Sequence, residues 1–202
     1  MTGTPGRPLS AELSEQLLAV AVDILAEDGW SRLNSDRIAA RARAGKAGIY
    51  RRWPSMPVMV REAVSRFDLV PVPEDTGSLR GDLIALLGRW TDPLDREERA
   101  TASIVGAARF DDDLRAGLDA ALGRPLTAAV TELGQRAMQR EELVDPARLM
   151  LLGSVLEAFW WQRFASAGDG AMEPERVERI VDEVMLPAAG LPTGAPRAAV
   201  AL

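Results

Sequence analysis

The chain is expected to be all-α, with an N-terminal three-helix helix-turn-helix domain followed by a C-terminal helical bundle. Three observations lead there. Apolar residues recur at i, i+3/i+4 through most of the 202 residues, which is the period of a helix with one buried face. No segment shows the strict alternation of a half-buried strand, and no internal repeat stands out. Capping residues, glycines and prolines punctuate the chain at helix-length intervals.

The elements come in this order. Residues 1–9 (MTGTPGRPL) are polar and rich in Gly and Pro and read as a flexible arm. Ser10 is a candidate N-cap, after which Leu13, Leu17, Val20, Ala21, Ile24 and Leu25 form an amphipathic stripe that Gly29 ends. Asn34 caps a second helix with Ile38, Ala39 and Ala42 inward. A turn over 43–45 leads to a third helix that stops before Pro54, because the residue preceding proline avoids the helical region. Ser55 and Pro57 open a fourth helix, with Met59, Ala63, Val64 and Phe67 on one side. The segment 70–78 (VPVPEDTGS) is a boundary. Beyond it the spacing predicts helices at roughly 78–91, 97–108, 111–121, 124–140, 146–167 and 174–186, with Gly123 and Pro125 breaking or kinking what would otherwise be one long helix. The Pro/Gly/Ala-rich stretch from 186 onward is expected to be disordered. The division that results is an arm at 1–9, a DNA-binding domain at 10–69, an effector-binding and dimerisation domain at 76–188, and a tail at 189–202.

Composition narrows function. Zero cysteines and zero histidines remove thiolate nucleophiles, Cys metal sites, and the commonest general base and transition-metal ligand. No catalytic residues, metal or cofactor are expected. The N-terminus lacks a secretory h-region and the longest apolar run is too short to span a bilayer, so a cytoplasmic binding protein with no membrane partner is expected. The net charge of −6 argues against a nucleic-acid partner only until it is divided. Residues 32–66 hold nine basic side chains against Asp36 and Glu62, a net of +7, which leaves −13 for the rest. A basic head on an acidic body is the reading. The head's segment NSDRIAARARAGKAGIYRRW, residues 34–53, carries the chain's single lysine, Lys46, and single tyrosine, Tyr50, beside Arg51 and Arg52. A compact cationic helix behind a tight turn suits the DNA major groove.

The block RIAARARAGKAGIYRRWPSMPVMVREAV, residues 37–64, preceded by an amphipathic helix and AEDGW, resembles the TetR (tetracycline repressor) family of transcriptional regulators. The resemblance covers about residues 10–67; in the body it is one of helix number and arrangement. It implies a homodimer bound to a double-stranded DNA operator and a ligand-responsive C-terminal domain. By that resemblance Lys46 and Ala47 fall where base edges are reached, Tyr50 where a phosphate is contacted, and Asn34 and Ser35 beside the DNA backbone. Backbone N–H groups at Gly45 and Gly48 and the cations Arg43 and Arg51 complete the expected contact set, with Arg7 of the arm a candidate for the minor groove. The sequence departs from the family at Arg43, where Gly is frequent, at Gly45 and Gly48, where a hydroxyl is usual, and at Met56, where Lys is usual. Arg43, Arg51 and Arg52 can replace lost charge, unless one of them pairs with Asp36 or Glu62. Trp53 is expected in the core.

In the body, the helix at 146–167 is apolar nearly all round, so burial on two sides is expected. Leu156 on it, with the stripe Val177, Ile180, Val181 and Val184 on the next helix, reads as a dimer interface. Trp90, Phe110, Met138, Trp160 and Trp161 suggest a hydrophobic pocket, and Glu157 and Arg163 are the polar exceptions beside it. Those two could pair with each other, lie at the dimer rim or orient a ligand. The expected function is a repressor released from its operator by a small hydrophobic effector; a constitutive dimeric DNA binder is the alternative.

Overall fold

A computed structural model describes residues 11–142, 146–166 and 168–191, and these are helical with no strand among them. Arg7, Ser10, the arm and residues 192–202 lie outside the described residues.

The head comprises α1 (Ala11–Asp28), a 3-10 turn (Trp30–Arg32), α2 (Ser35–Ala42), α3 (Lys46–Tyr50) and α4 (Met56–Val64). Gly29 ends α1 at φ 81° while its N–H reaches Ile24 and Leu25 carbonyls, a conformation that suits a residue without Cβ. Asn34 caps α2, its Oδ1 accepting from the Arg37 N–H at 2.9 Å. Ser55 caps α4 in the same way, with Pro57 in the first turn.

The body comprises α5 (Leu79–Leu87) running into a 3-10 turn (Gly88–Thr91), α6 (Arg96–Ala108), α7 (Asp112–Leu118), α8 (Arg124–Gln139), α9 (Pro146–Ala165), α10 (Pro174–Ile180) and α11 (Leu186–Ala188). Two joints differ from the sequence expectation. Between α7 and α8 the chain does not break at Gly123 or Pro125 but passes through a π turn, Asp119–Gly123. Between α10 and α11 a second π turn, Val181–Met185, does the same. Each is followed two residues later by a proline, Pro125 and Pro187, which has no N–H to give and whose ring would crowd the carbonyl four residues back in a regular helix. Widening the turn relieves that. The helix therefore continues past 186, and Leu186 and Ala189 are buried, so disorder does not begin there.

A single hydrophobic cluster runs from Leu17 in α1 to Ala189. Head and body share it, because α1 packs along α6 and α4 along α7. Gly117 lets α7 approach α4 closely: a Cβ there would meet Arg61 Cα at 3.2 Å. At Gly134 a Cβ would come within 2.1 Å of Leu149 Cδ2, so α8 and α9 are in close contact at that point.

Candidate nucleic-acid interface

The turn between α2 and α3 is a Schellman closure: the Ala44 N–H reaches the Ala39 carbonyl at 2.9 Å and the Arg43 N–H that of Ala40. Arg43 occupies its left-handed position at φ 51°, ψ 42°. Gly45 then caps α3 without a side-chain bond, leaving the first N–H groups of that helix without a side-chain acceptor. Lys46, Ala47 and Tyr50 are exposed on α3, and Ile49 anchors it in the core.

Two cross-links tie the first turn of α2 to α3. The Ser35 and Tyr50 hydroxyls are 3.0 Å apart in a hydrogen bond, although Ser35 itself is buried. The Lys46 ammonium is ion-paired with the Asp36 carboxylate, both side chains being largely solvent-exposed. Arg52, a candidate replacement cation, is instead structural: its Nε donates to Ser14 Oγ at 2.8 Å and its Nη1 to the Gly48 carbonyl at 2.9 Å. Trp53 is core, as expected, and its indole N–H donates to Glu62 at 2.6 Å.

The head's charge is less bare than the sequence count implied. Arg37 pairs with Asp28, Arg41 with Glu27, Arg61 with Asp113, and Arg66 with Glu15 and Glu62. Most of these carboxylates come from α1 and α7, outside the basic stretch, so a count along the chain could not register them. Among the described residues Arg43 and Arg51 make no ion pair or side-chain hydrogen bond, and both are exposed. They flank α3 as its available cations.

The body corrects several expectations. Trp90 and Trp160 are fully buried, packed edge to face at 5.2 Å with Phe159 alongside. Both indole N–H groups lack an acceptor among the described residues. Arg163 is neither a surface nor a pocket residue: at 0% exposure it pairs with Glu98 at 3.1 Å and donates to the carbonyls of Arg89, Trp90, Asp92 and Gly170. Glu157 does not meet it; the Glu157 carboxylate accepts from Trp161 Nε1 at 3.2 Å. Phe110, 90% exposed, lies outside any pocket, because α6 ends at Ala108 and the ring falls in the connecting bend. Met138 also faces solvent. The apolar concavity that is present is a half-open groove of about 290 Å³ between α8 and α9, lined by Leu126, Val130, Leu149, Met150 and Gly153 with Glu157 at its edge. Only Glu157 of the expected pocket set reaches it.

The expected interface is likewise displaced. Leu156, Val177, Ile180 and Val181 are buried in the protomer's own core, and Val184 alone of the five is exposed, at 40%. What α9 presents outward is Ala147, Leu151, Ser154 and Ala158, with Met150 73% exposed beside them. Two buried acids had no sequence reading, Asp82 and Glu98. Glu98 was legible in principle: with Asp95 three residues earlier it completes a reciprocal capping box at the start of α6.

An all-helical body bearing a helix-turn-helix with an exposed, cation-flanked second helix defines a DNA-associated regulatory protein. Residues 17–63 match the family described as bacterial regulatory proteins, tetR family, and residues 73–184 the tetracyclin repressor-like C-terminal domain. A DNA-binding transcriptional repressor TetR of Mycobacteroides abscessus is 32% identical over 86% of this chain and 92% of its own length. An HTH-type transcriptional regulator of Mycobacterium tuberculosis is 32% identical over 89% of each. The crystal structure of a tetR-family transcriptional regulator from Streptomyces coelicolor superposes with a TM-score of 0.67 at 20% identity, covering 90% of this chain and 83% of that one. The chain belongs to the TetR family of transcriptional regulators. Among the described residues no helix is long and apolar enough to cross a membrane.

Proposed function

We propose that the chain is a homodimeric repressor that acts in the cytoplasm and grips an operator duplex with one α3 from each of two heads. The observation that carries this is the surface of α3: Lys46, Ala47 and Tyr50 outward, with Arg43 and Arg51 unpaired on either side. Lys46 donates to a base edge, Ala47 meets a thymine methyl, and Tyr50, Asn34 and Ser35 hold the DNA backbone with the N–H groups at Gly45 and Gly48. Repression as the sign of regulation is supported by the name of the Mycobacteroides abscessus relative. Residues 10–69 form the reading head and 76–188 the effector-binding and dimerisation body. The dimer face consists of the outward stripe Ala147, Leu151, Ser154 and Ala158 on α9 with Val184, a helical spacing of small and apolar side chains that suits a second copy.

A small, mostly apolar effector bound in the body releases the operator by favouring a head separation that mismatches the groove. The groove between α8 and α9 and the two acceptor-less indole N–H groups support this. The tight packing of Trp90, Trp160 and Arg163 favours the second reading, a constitutive dimeric binder.

Selection from a random DNA pool with the purified protein is expected to return a near-palindrome, its half-sites on one face about one or more helical turns apart. Lys46→Ala should weaken that site by roughly 1–3 kcal/mol. Unchanged affinity for both selected and random DNA removes α3 as the reading element. For the effector, an apolar compound that quenches tryptophan fluorescence must lose affinity in the presence of operator by the same factor by which it weakens the operator. Absence of any such compound from a broad screen leaves the constitutive binder.

A further inference from the structure

The ion pair between Asp36 and Lys46 sits in the middle of the surface offered to DNA, and an acid there is at odds with a phosphate-binding role. Asp36 stands in the first turn of α2, next to Ser35, whose hydroxyl holds Tyr50, so the carboxylate and the ammonium share one patch with the proposed contact residues. The cations nearest in sequence are accounted for elsewhere: Arg37 and Arg41 lean back to Asp28 and Glu27 on α1, and Arg52 is committed to Ser14 and Gly48. Attraction for phosphates therefore comes from the flanks, Arg43 and Arg51, while the centre is a paired plus and minus. Against a random duplex the Asp36 carboxylate faces like charge with nothing to accept from, a penalty that builds discrimination against the wrong partner.

We propose that Asp36 is a specificity-determining residue and that Asp36 and Lys46 together read a guanine–cytosine step in the major groove. The chemistry matches in order. Guanine presents two adjacent acceptors, O6 and N7, which suit an ammonium; cytosine presents the N4 donor beside them, which suits a carboxylate. An adenine–thymine pair places its one donor between two acceptors, so a carboxylate reaching it would lie against both. Asp36 thus does two things: it positions the Lys46 ammonium before DNA arrives, and it withholds tight binding from duplexes that offer it no donor. This inference rests on the proposal that α3 faces DNA.

The test uses the full-length protein with the selected operator, each of its base-pair substitutions, and a random duplex. In the unsubstituted protein one G·C position in each half-site should cost roughly 5- to 150-fold when changed to A·T. Asp36→Ala should flatten the preference at that position, bind random DNA several-fold more tightly, and steepen the slope of log affinity against log salt by about one unit. Lys46→Ala should flatten the same position while weakening random DNA. The pair is exposed, so circular dichroism of both variants should match the parent. If Asp36→Ala leaves the base preference intact, or lowers affinity for operator and random DNA alike, the specificity role is overturned while the reading helix stands. If Lys46→Ala changes binding to neither duplex, the reading helix itself is wrong and both proposals fall.

Discussion

Arg43 holds a backbone conformation that an L side chain adopts at a cost of about 1–2 kcal/mol, because its left-handed φ brings Cβ toward the following carbonyl. The Schellman closure between α2 and α3 requires that conformation whichever residue stands there. Glycine would relieve the strain but give back part of the gain through its greater freedom in the unfolded chain. Arg43→Gly is therefore expected to leave stability unchanged or raise it by up to about 1 kcal/mol, and Arg43→Val to lower it by about 1–2 kcal/mol. Both lose one of the two unpaired cations beside α3, so both should bind DNA more weakly and with a shallower salt slope. Thermal melts separate the two variants and salt titrations group them together. A residue retained at a strained position although glycine fits it better is consistent with a role for its side chain in binding. If Arg43→Gly binds operator as well as the parent does, Arg43 has no such role.

At the scale of elements, the head was legible because each boundary carries its own chemistry: Asn34, Ser55 and Gly29 cap or end helices where the pattern placed them. The seam on the last helix was not, and the π turn at Val181–Met185 is the reason. A straight 3.6-residue period continues the stripe Val177, Ile180 and Val181 to Val184 and Ala188. The π turn carries one residue more than an α turn, which rotates the side chains beyond it by about 100°. The inward positions become Met185 and Ala189, and Val184 turns out to solvent. Periodicity alone cannot report a one-residue insertion. The consequence is a pair of variants with opposite expected behaviour. Val184→Arg should give a folded protein shifted toward monomer. Val181→Arg should fail to fold, since an unpaired charge in the core costs several kcal/mol. Sedimentation and circular dichroism together decide; a folded monomeric Val181→Arg would restore the seam to the face first expected. The body's polar interior was illegible for a different reason. Arg163 collects acceptors from three separate stretches, and nothing local in the sequence ties those stretches together.

For the whole molecule, the long-range ion pairs matter more than the net charge. Asp82 is fully buried, where its Oδ1 accepts from the Thr76 hydroxyl and N–H and its Oδ2 from Arg140, which also holds Asp75 and Glu142. Burial pushes the Asp82 carboxyl up, but the Thr76 hydrogen bonds and the Arg140 guanidinium outweigh that together and hold it below its ordinary value of 3.8. The depressed value means the folded form favours the carboxylate. This contribution to stability is complete well above pH 3.8 and is lost as pH falls below that value. Asp82→Asn keeps one acceptor but turns an amide toward Arg140, and should cost roughly 1–3 kcal/mol at neutral pH. The gap between the two proteins should close as acid protonates Asp82 in the parent. Chemical denaturation at a series of pH values reads this directly, and a gap that stays constant down to about pH 2 would show that the network does not depend on the Asp82 charge.

The extra residue in the turn Asp119–Gly123 also changes what the gene can tolerate. Loss of one residue from a regular helix swings every later side chain by about 100° and turns its buried face outward. Loss of one from a π turn leaves an ordinary α turn, with Leu126, Ala129, Val130 and Leu133 still facing inward. Pro125 is the obstacle, since in an unwidened helix its ring meets the carbonyl four residues earlier at a cost of about 3 kcal/mol. Deletion of Ala120 combined with Pro125→Ala should therefore melt close to the parent, while deletion of Ala128 should abolish folding. In terms of codons, this stretch is one where a three-base deletion accompanied by a single missense change leaves the packing of the body as it was.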